Sequence, residues 1–223
     1  HTNTLCIERV SGRPLSELVD EARKDPVRQA QAARAVTLVG ELLRRFYETT
    51  RTSSVGPSQL LRGHMEHVSA RLGEIPLIGR ALFGGYHSDV SILWNELLRA
   101  EEPTSVTHGE PHLGNVLVRG DRVALTSFAK SNGASHLLSD GYAMSVSLRS
   151  RRLPAELQRR LFDALHQGLD GPTFPEALHR FYWELQRRRW LFSKLVEGNA
   201  FERAQGLRSL SELGVWLPLR EVG

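Results

Sequence analysis

A mainly helical α+β protein with small β hairpins is the fold class this sequence predicts, and three observations carry it. Apolar residues recur at three- and four-residue spacing over several long windows, the mark of amphipathic helices. Paired apolar runs are short: Val116-Leu117-Val118 and Val123-Ala124-Leu125, joined by Arg119-Gly120-Asp121-Arg122, a hairpin signal. No apolar run approaches the ~18 residues of a transmembrane helix, and no internal repeat is present.

Taken in order, residues 2–10 read as a short strand, broken by Ser11-Gly12 and Pro14. A helix is expected over 27–48, where Ala35, Leu38, Val39, Leu42, Leu43 and Phe46 keep helical spacing. Thr49 to Pro57 is a loop rich in Thr, Ser, Gly and Pro, and Ser58 is placed to cap a second helix through about Arg71. A third is expected over 88–100, with Val90, Leu93, Leu97 and Leu98 on one side and Glu101-Glu102-Pro103 ending it. After the hairpin the pattern is helical from about 139 onward, interrupted at Pro154 and Gly171-Pro172. Within it Leu178, Phe181, Tyr182, Leu185, Phe192 and Leu195 share an apolar stripe. That stripe puts Arg187-Arg188-Arg189 largely on the polar side, with Trp183 and Trp190 on a neighbouring face.

The 223 residues suffice for one large domain or two small ones. With 40% hydrophobic and 24% charged residues, wholesale disorder is not expected. Cys6 is the only cysteine, which forbids an intrachain disulfide and a Cys-rich zinc site and fits reducing, cytoplasmic conditions. On its apolar strand it reads as inert packing. The net charge of +4 comes with no nucleic-acid recognition motif, so nucleic acid is not an expected partner. No signal-peptide pattern opens the chain, and no membrane association is expected.

The most informative stretch lies between the third helix and the hairpin: His108-Gly109-Glu110-Pro111-His112-Leu113-Gly114-Asn115. Glu110 stands five residues before Asn115, the hairpin follows, and Thr126-Ser127-Phe128 comes after it. Ser139-Asp140-Gly141-Tyr142-Ala143 lies further on, and Leu5-Cys6-Ile7-Glu8-Arg9-Val10-Ser11-Gly12-Arg13-Pro14-Leu15 stands near the start. A carboxylate that accepts a hydroxyl proton, an amide five residues on that can ligate magnesium, and a further metal ligand after the next strand make the order of a phosphoryl-transfer site.

Together these segments resemble the aminoglycoside phosphotransferase-like kinases. Their catalytic loop reads H-G-D-x-x-x-x-N, followed by a hydrophobic hairpin and I-D-[FW], and their hinge is a strand ending near Glu and then G-x-x-L. The resemblance implies a protein-kinase-like C-terminal lobe starting at the hinge. Residues 1–15 would be hinge strand and turn, and 16–223 the helical lobe carrying the catalytic-loop hairpin at 105–128. The nucleotide-covering lobe would be absent from this chain, which has neither G-x-G-x-x-G nor G-x-x-x-x-G-K-[ST].

The resemblance also implies roles. Glu110 takes the catalytic-base position, with His108 beside it. Asn115 is the metal ligand and borders the nucleotide with Ser127 and Glu8. Asp140 is mainly structural. ATP and magnesium would be the cofactors of an active enzyme. Two positions depart from the pattern: Glu110 replaces Asp, and Ser127 replaces the second metal-binding Asp. The added methylene moves a carboxylate by roughly 1 Å, and misplacement on that scale can cost about 100-fold in rate. A hydroxyl brings magnesium no charge, and that ion commonly takes one or two carboxylates.

The expectation is a degenerate member, a pseudokinase that binds a substrate, peptide or protein partner, with natural-product or peptide modification as one setting. The alternative is an active ATP- and magnesium-dependent phosphotransferase acting on a hydroxyl of a small molecule or of peptide Ser or Thr. The Arg187–Arg189 helix is the candidate surface for a protein partner, with Trp and Arg anchors; a phosphate or acidic-peptide site is the other reading.

Plainer readings stand beside these. His108 can be a histidine that only organises its loop, Asn115 a turn cap, Gly109 and Gly114 tight backbone, and the whole chain an all-helical interaction module. Lys130 reads as a solvated lysine, or as a cation that partly replaces the metal. His108-x-Glu110-x-His112 could offer zinc ligands, but the P-C-x-x-C that accompanies H-x-E in deaminases needs more than one cysteine. The G-x-S-x-G nucleophile elbow does not occur.

Overall fold

The computed structural model describes residues 11–51, 59–76, 79, 86–99, 104–128, 132–170 and 174–213. A two-residue strand β1 (Arg13–Pro14) leads into α1 (Leu15–Glu21), α2 (Pro26–Thr50), α3 (Gln59–Gly73) and α4 (Tyr86–Arg99). Then come β2 (Ser105–Thr107), a 3₁₀ turn (Leu113–Asn115), β3 (Val116–Arg119), β4 (Arg122–Leu125) and β5 (Asn132–Ser135). Helices α5 (Leu137–Arg149), α6 (Ala155–Leu169), α7 (Glu176–Leu195) and α8 (Ala200–Leu213) follow. The architecture is mainly α with a small antiparallel hairpin sheet, as the sequence predicts, and a second, two-stranded sheet. No helix among the described residues is long and apolar enough to cross a membrane.

One sheet has the order β1-β3-β4, all antiparallel, with Arg13 opposite Val118 and Val116 opposite Leu125. The break expected at Pro14 is therefore partly strand. Proline is tolerated in an edge strand, and β1 is at the edge of this sheet among the described residues. The second sheet pairs β2 with β5 and has no counterpart in the sequence reading. Helix α1 was not foreseen either. The expected strand over 2–10, with Cys6 and Glu8, falls outside the described residues, as do Lys130, Ser58 and the Glu101-Glu102-Pro103 stop.

Helix α2 starts where chemistry favours it: Asp25 Oδ1 accepts from the Val27 N–H at 2.8 Å, and Pro26 occupies the first turn. Its buried stripe is Ala32, Ala35, Val36, Val39, Leu43 and Tyr47. Leu38, Leu42 and Phe46 are only half-buried, so the face is rotated from the one the spacing suggested. The cause is α6, which packs against α2 through glycines. A Cβ at Gly168 would stand 2.1 Å from the Thr37 carbonyl oxygen, and one at Gly40 would stand 2.8 Å from the Gly168 backbone. Gly168→Ala must push the two helices apart and is expected to destabilise by at least about 1–3 kcal/mol, the usual cost of overpacking. A lowered urea midpoint checks this.

Two hydrophobic clusters form the core, and α5 belongs to both. Leu137, Met144 and Leu148 face the cluster of α1, α2 and α6, while Leu138, Tyr142 and Val146 face that of α3, α4 and α7. Every residue of α5 except Ala143 is buried, Ser139, Asp140, Ser147 and Arg149 included. A helix covered all round is normally apolar, so these polar side chains must each have a reason to be there.

Two further helix faces are corrected. On α4, Leu93 and Trp94 are buried, whereas Leu98 is exposed. On α7, Trp183 is in the core and Phe192 only partly covered, while Arg188 is 3% exposed. The arginines do not form a solvated polar side. Arg188 Nη1 donates to Ser69 Oγ at 2.7 Å and its Nε to Glu184 at 3.2 Å, while Arg187 Nη2 donates to Glu184 at 2.7 Å. Burial alone would raise the Glu184 carboxyl, but the attraction and hydrogen bonds of Arg187 and Arg188 hold it below its ordinary range.

Candidate functional site

Two of the buried polar residues of α5, Asp140 and Ser147, hold the loop at 108–115. They lie two turns apart on one face and reach the same segment. Asp140 Oδ2 accepts from the His108 N–H at 2.7 Å and Oδ1 from the Gly109 N–H at 2.9 Å. Ser147 Oγ accepts from the Leu113 N–H at 3.1 Å. Gly109 has φ +86°, a conformation that side chains resist, so glycine is required here. Burial pushes the Asp140 carboxyl up to about 7, against the pull of its two N–H donors and of Arg189.

Within the loop, His108 Nε2 donates to the Thr126 carbonyl at 2.7 Å and Nδ1 accepts from the Glu110 N–H at 3.3 Å, the roles a neutral ring takes. Burial lowers its pKa, only partly offset by that carbonyl and by the Glu110 carboxylate. With both nitrogens engaged by backbone, His108 positions the loop against the hairpin. The Glu110 carbonyl accepts from the His112 N–H at 2.9 Å and from Asn115 Nδ2 at 3.0 Å. Asn115 is thus oriented by the same turn that places Glu110, which leaves Oδ1 as its metal-capable atom.

The hairpin returns the chain to this point. The Asn115 carbonyl accepts from the Thr126 N–H at 2.9 Å and from Thr126 Oγ1 at 3.2 Å, which sets Ser127 beside Asn115. Ser127 is exposed and has φ +65°, a left-handed conformation that costs a non-glycine residue roughly 1–2 kcal/mol. Phe128 follows, its ring centroid 4.4 Å from that of His108 and 6.1 Å from that of Phe46. The structure therefore brings together His108, Glu110, Asn115, Ser127 and Asp140.

The fold recurs in solved structures. A glucosamine kinase in complex with glucosamine, ADP and inorganic phosphate superposes with a TM-score of 0.62 over 90% of this chain, at 18% identity. The fold is that of a protein-kinase-like phosphotransferase. Plasmodium vivax ethanolamine kinase matches 93% of this chain and 63% of its own, with a TM-score of 0.60 at 12% identity. An aminoglycoside phosphotransferase from Streptomyces rimosus matches 82% of this chain and 68% of its own, with a TM-score of 0.54 at 16% identity. This chain spans 60% of the length of the glucosamine kinase structure. No protein-family model and no curated protein matches the sequence.

The side chains gathered here do not make a magnesium site by themselves. Asn115 Oδ1 and Ser127 Oγ are neutral, and both Asp140 oxygens are bound to loop N–H groups. Among the described residues no group of three or more His, Cys, Asp or Glu could hold a metal ion. His112 Nδ1 accepts from the Gly114 N–H at 3.0 Å.

Two features of the site escaped the sequence reading. Ser147 as a loop holder was visible in principle, since 140 and 147 are two helical turns apart. The closeness of Arg189 to Glu110 and Asp140 was not, because nothing local to α7 signals it.

Proposed function

We propose that this chain is the acceptor-binding lobe of a degenerate kinase-like phosphotransferase. It binds a small-molecule, peptide or protein partner and contributes little phosphoryl transfer. The observation that carries this reading is Ser127, a neutral hydroxyl where the pattern this sequence resembles has a metal-binding Asp, near Asp140 whose two oxygens both accept from loop N–H groups. Glu110 retains the negative charge of the base position but on a longer side chain. The fold of the glucosamine, ethanolamine and aminoglycoside kinases supports an acceptor with a hydroxyl group.

A second reading, an active phosphotransferase using ATP and magnesium, draws on one specific feature. The loop is held in full by Asp140, Ser147 and Asn115, and Ser127 keeps a strained backbone of the kind that persists at functional sites. In that case Glu110 would accept the acceptor's hydroxyl proton, and Asn115 would hold the ion together with the nucleotide's phosphates.

Thermal unfolding of the full-length protein, with ATP alone and with ATP plus magnesium, separates the two. A ligand at about 100 times its Kd stabilises by roughly 2.7 kcal/mol. The parent is expected to show no magnesium-dependent rise. Ser127→Asp is expected to create one, since Asp tolerates left-handed backbone better than Ser and supplies the missing charge. A full magnesium-dependent rise in the parent would overturn the degenerate reading.

A further inference from the structure

Arg189 differs from its two neighbours in the arginine triplet. Arg187 and Arg188 are held by Glu184 and Ser69, whereas no hydrogen bond or ion pair engages Arg189 among the described residues. It is nevertheless half-buried rather than solvated. Its place is fixed from one turn earlier: Gln186 Nε2 donates to Ser139 Oγ at 2.8 Å, and residues three apart share a helix face. That face of α7 therefore looks onto Asp140 and the loop it grips. Burial pulls the guanidinium below its ordinary pKa, while the carboxylates of Glu110 and then Asp140 draw it back up. Asp140 has no oxygen to spare, as both accept from His108 and Gly109. The result is a half-buried planar fork of five N–H donors within electrostatic reach of Glu110 and Asp140.

We infer that Arg189 and Glu110 form one acceptor subsite, in which a hydroxyl rests on Glu110 and an acidic group of the same compound, a carboxylate or phosphate, is held by Arg189. The inference rests on the reading of this chain as an acceptor-binding lobe and adds a substrate class to it. A guanidinium matches carboxylate and phosphate through paired N–H donors, and such charge-assisted pairs are about twice as strong as neutral ones. A cationic acceptor would meet repulsion from the same fork.

Inorganic phosphate is the probe, since it needs no knowledge of the natural compound. Thermal unfolding of the full-length protein is followed in phosphate and in chloride at equal ionic strength, without nucleotide or metal. Phosphate is expected to raise Tm above the chloride value in the parent and in Arg180→Gln, an exposed arginine of the same helix, and not in Arg189→Gln. Equal Tm values in the two salts, or a phosphate rise that survives in Arg189→Gln, overturn the subsite. If Arg189→Gln fails to fold, Arg189→Lys decides: it keeps the charge and loses the fork, so a weakened phosphate response supports the subsite and an unchanged one overturns it. A second arm adds ADP. Additive stabilisation by phosphate and ADP supports an acceptor subsite, and mutual exclusion reassigns Arg189 to a nucleotide phosphate and overturns it. The phosphate readout is independent of metal, so its failure leaves the reading of Ser127 standing. A magnesium-dependent ATP shift would overturn that reading and leave the subsite intact.

Discussion

Asp140→Ala is expected to destabilise the protein by about 2–5 kcal/mol, because the buried N–H groups of His108 and Gly109 both lose their acceptor. Asp140 is 3% exposed, so water cannot readily take its place. The same change frees the loop that places Glu110, and any ligand response of the site should disappear with it. Urea unfolding measures the first effect, and the nucleotide and phosphate shifts measure the second. The near-isosteric Asp140→Asn removes the titration and, because an amide nitrogen cannot accept, one of the two loop acceptors. Burial raises this carboxyl from 3.8 to about 7, against the hydrogen bonds and Arg189. The folded state thus keeps a proton that the unfolded chain releases between these values. Stability should therefore fall as pH rises across that window, by an amount on the order of 4 kcal/mol if the whole shift is expressed. Asp140→Asn removes that slope.

The second large effect has the opposite sign and comes from His136. Its Nδ1 accepts from the Leu138 N–H at 3.1 Å and caps α5, and its ring lies 4.4 Å from Phe174, 5.3 Å from Tyr47 and 5.7 Å from Tyr182. Nε2 is buried without a hydrogen-bond partner. Burial, then the positive fields of His179 and Arg51, push its pKa down from 6.5 to about 3. The unfolded chain takes up the proton first. The stability this residue contributes is complete above about pH 6.5 and is lost as pH falls toward 3, with about 3 kcal/mol gone at pH 4. His108, lowered by its own burial, acts in the same sense.

Between about pH 4 and pH 6.5 the two groups oppose each other. The parent should be comparatively flat there, Asp140→Asn should lose stability steeply on acidification, and His136→Asn should gain it. His136→Asn keeps an acceptor for the Leu138 N–H, so its pH dependence reads the lost titration rather than a lost cap. Parallel profiles for all three proteins would refute both assignments.

What the chain states locally, it states well. The hairpin was legible because two apolar runs flank Arg119-Gly120-Asp121-Arg122, and Gly120 takes the positive φ, 55°, that such a turn needs. The long helices were legible from their period, and the order of Glu110, Asn115 and Ser127 from spacing alone. Elements with little pattern were missed: α1 has seven residues, and β2 and β5 offer Ser, Thr and Asn without apolar alternation. The helix faces went wrong on α4 and α7, where Trp94 is buried in place of Leu98 and Arg188 is buried with Glu184 and Ser69. Period gives the existence of a face, while its direction depends on which neighbour offers a partner.

The sequence by itself determined the helical class, the hairpin, and the order of Glu110, Asn115 and Ser127 that resembles a phosphoryl-transfer loop, because each of these is written in residues close together along the chain. Only the tertiary structure decided that Asp140 and Ser147 hold the loop, that Ser127 sits at φ +65° beside Asn115, and that Arg189 lies within electrostatic reach of Glu110. Those relations join residues tens of positions apart. They arise from how α5 and α7 pack, which depends on the shape of every side chain between them and on no local signal.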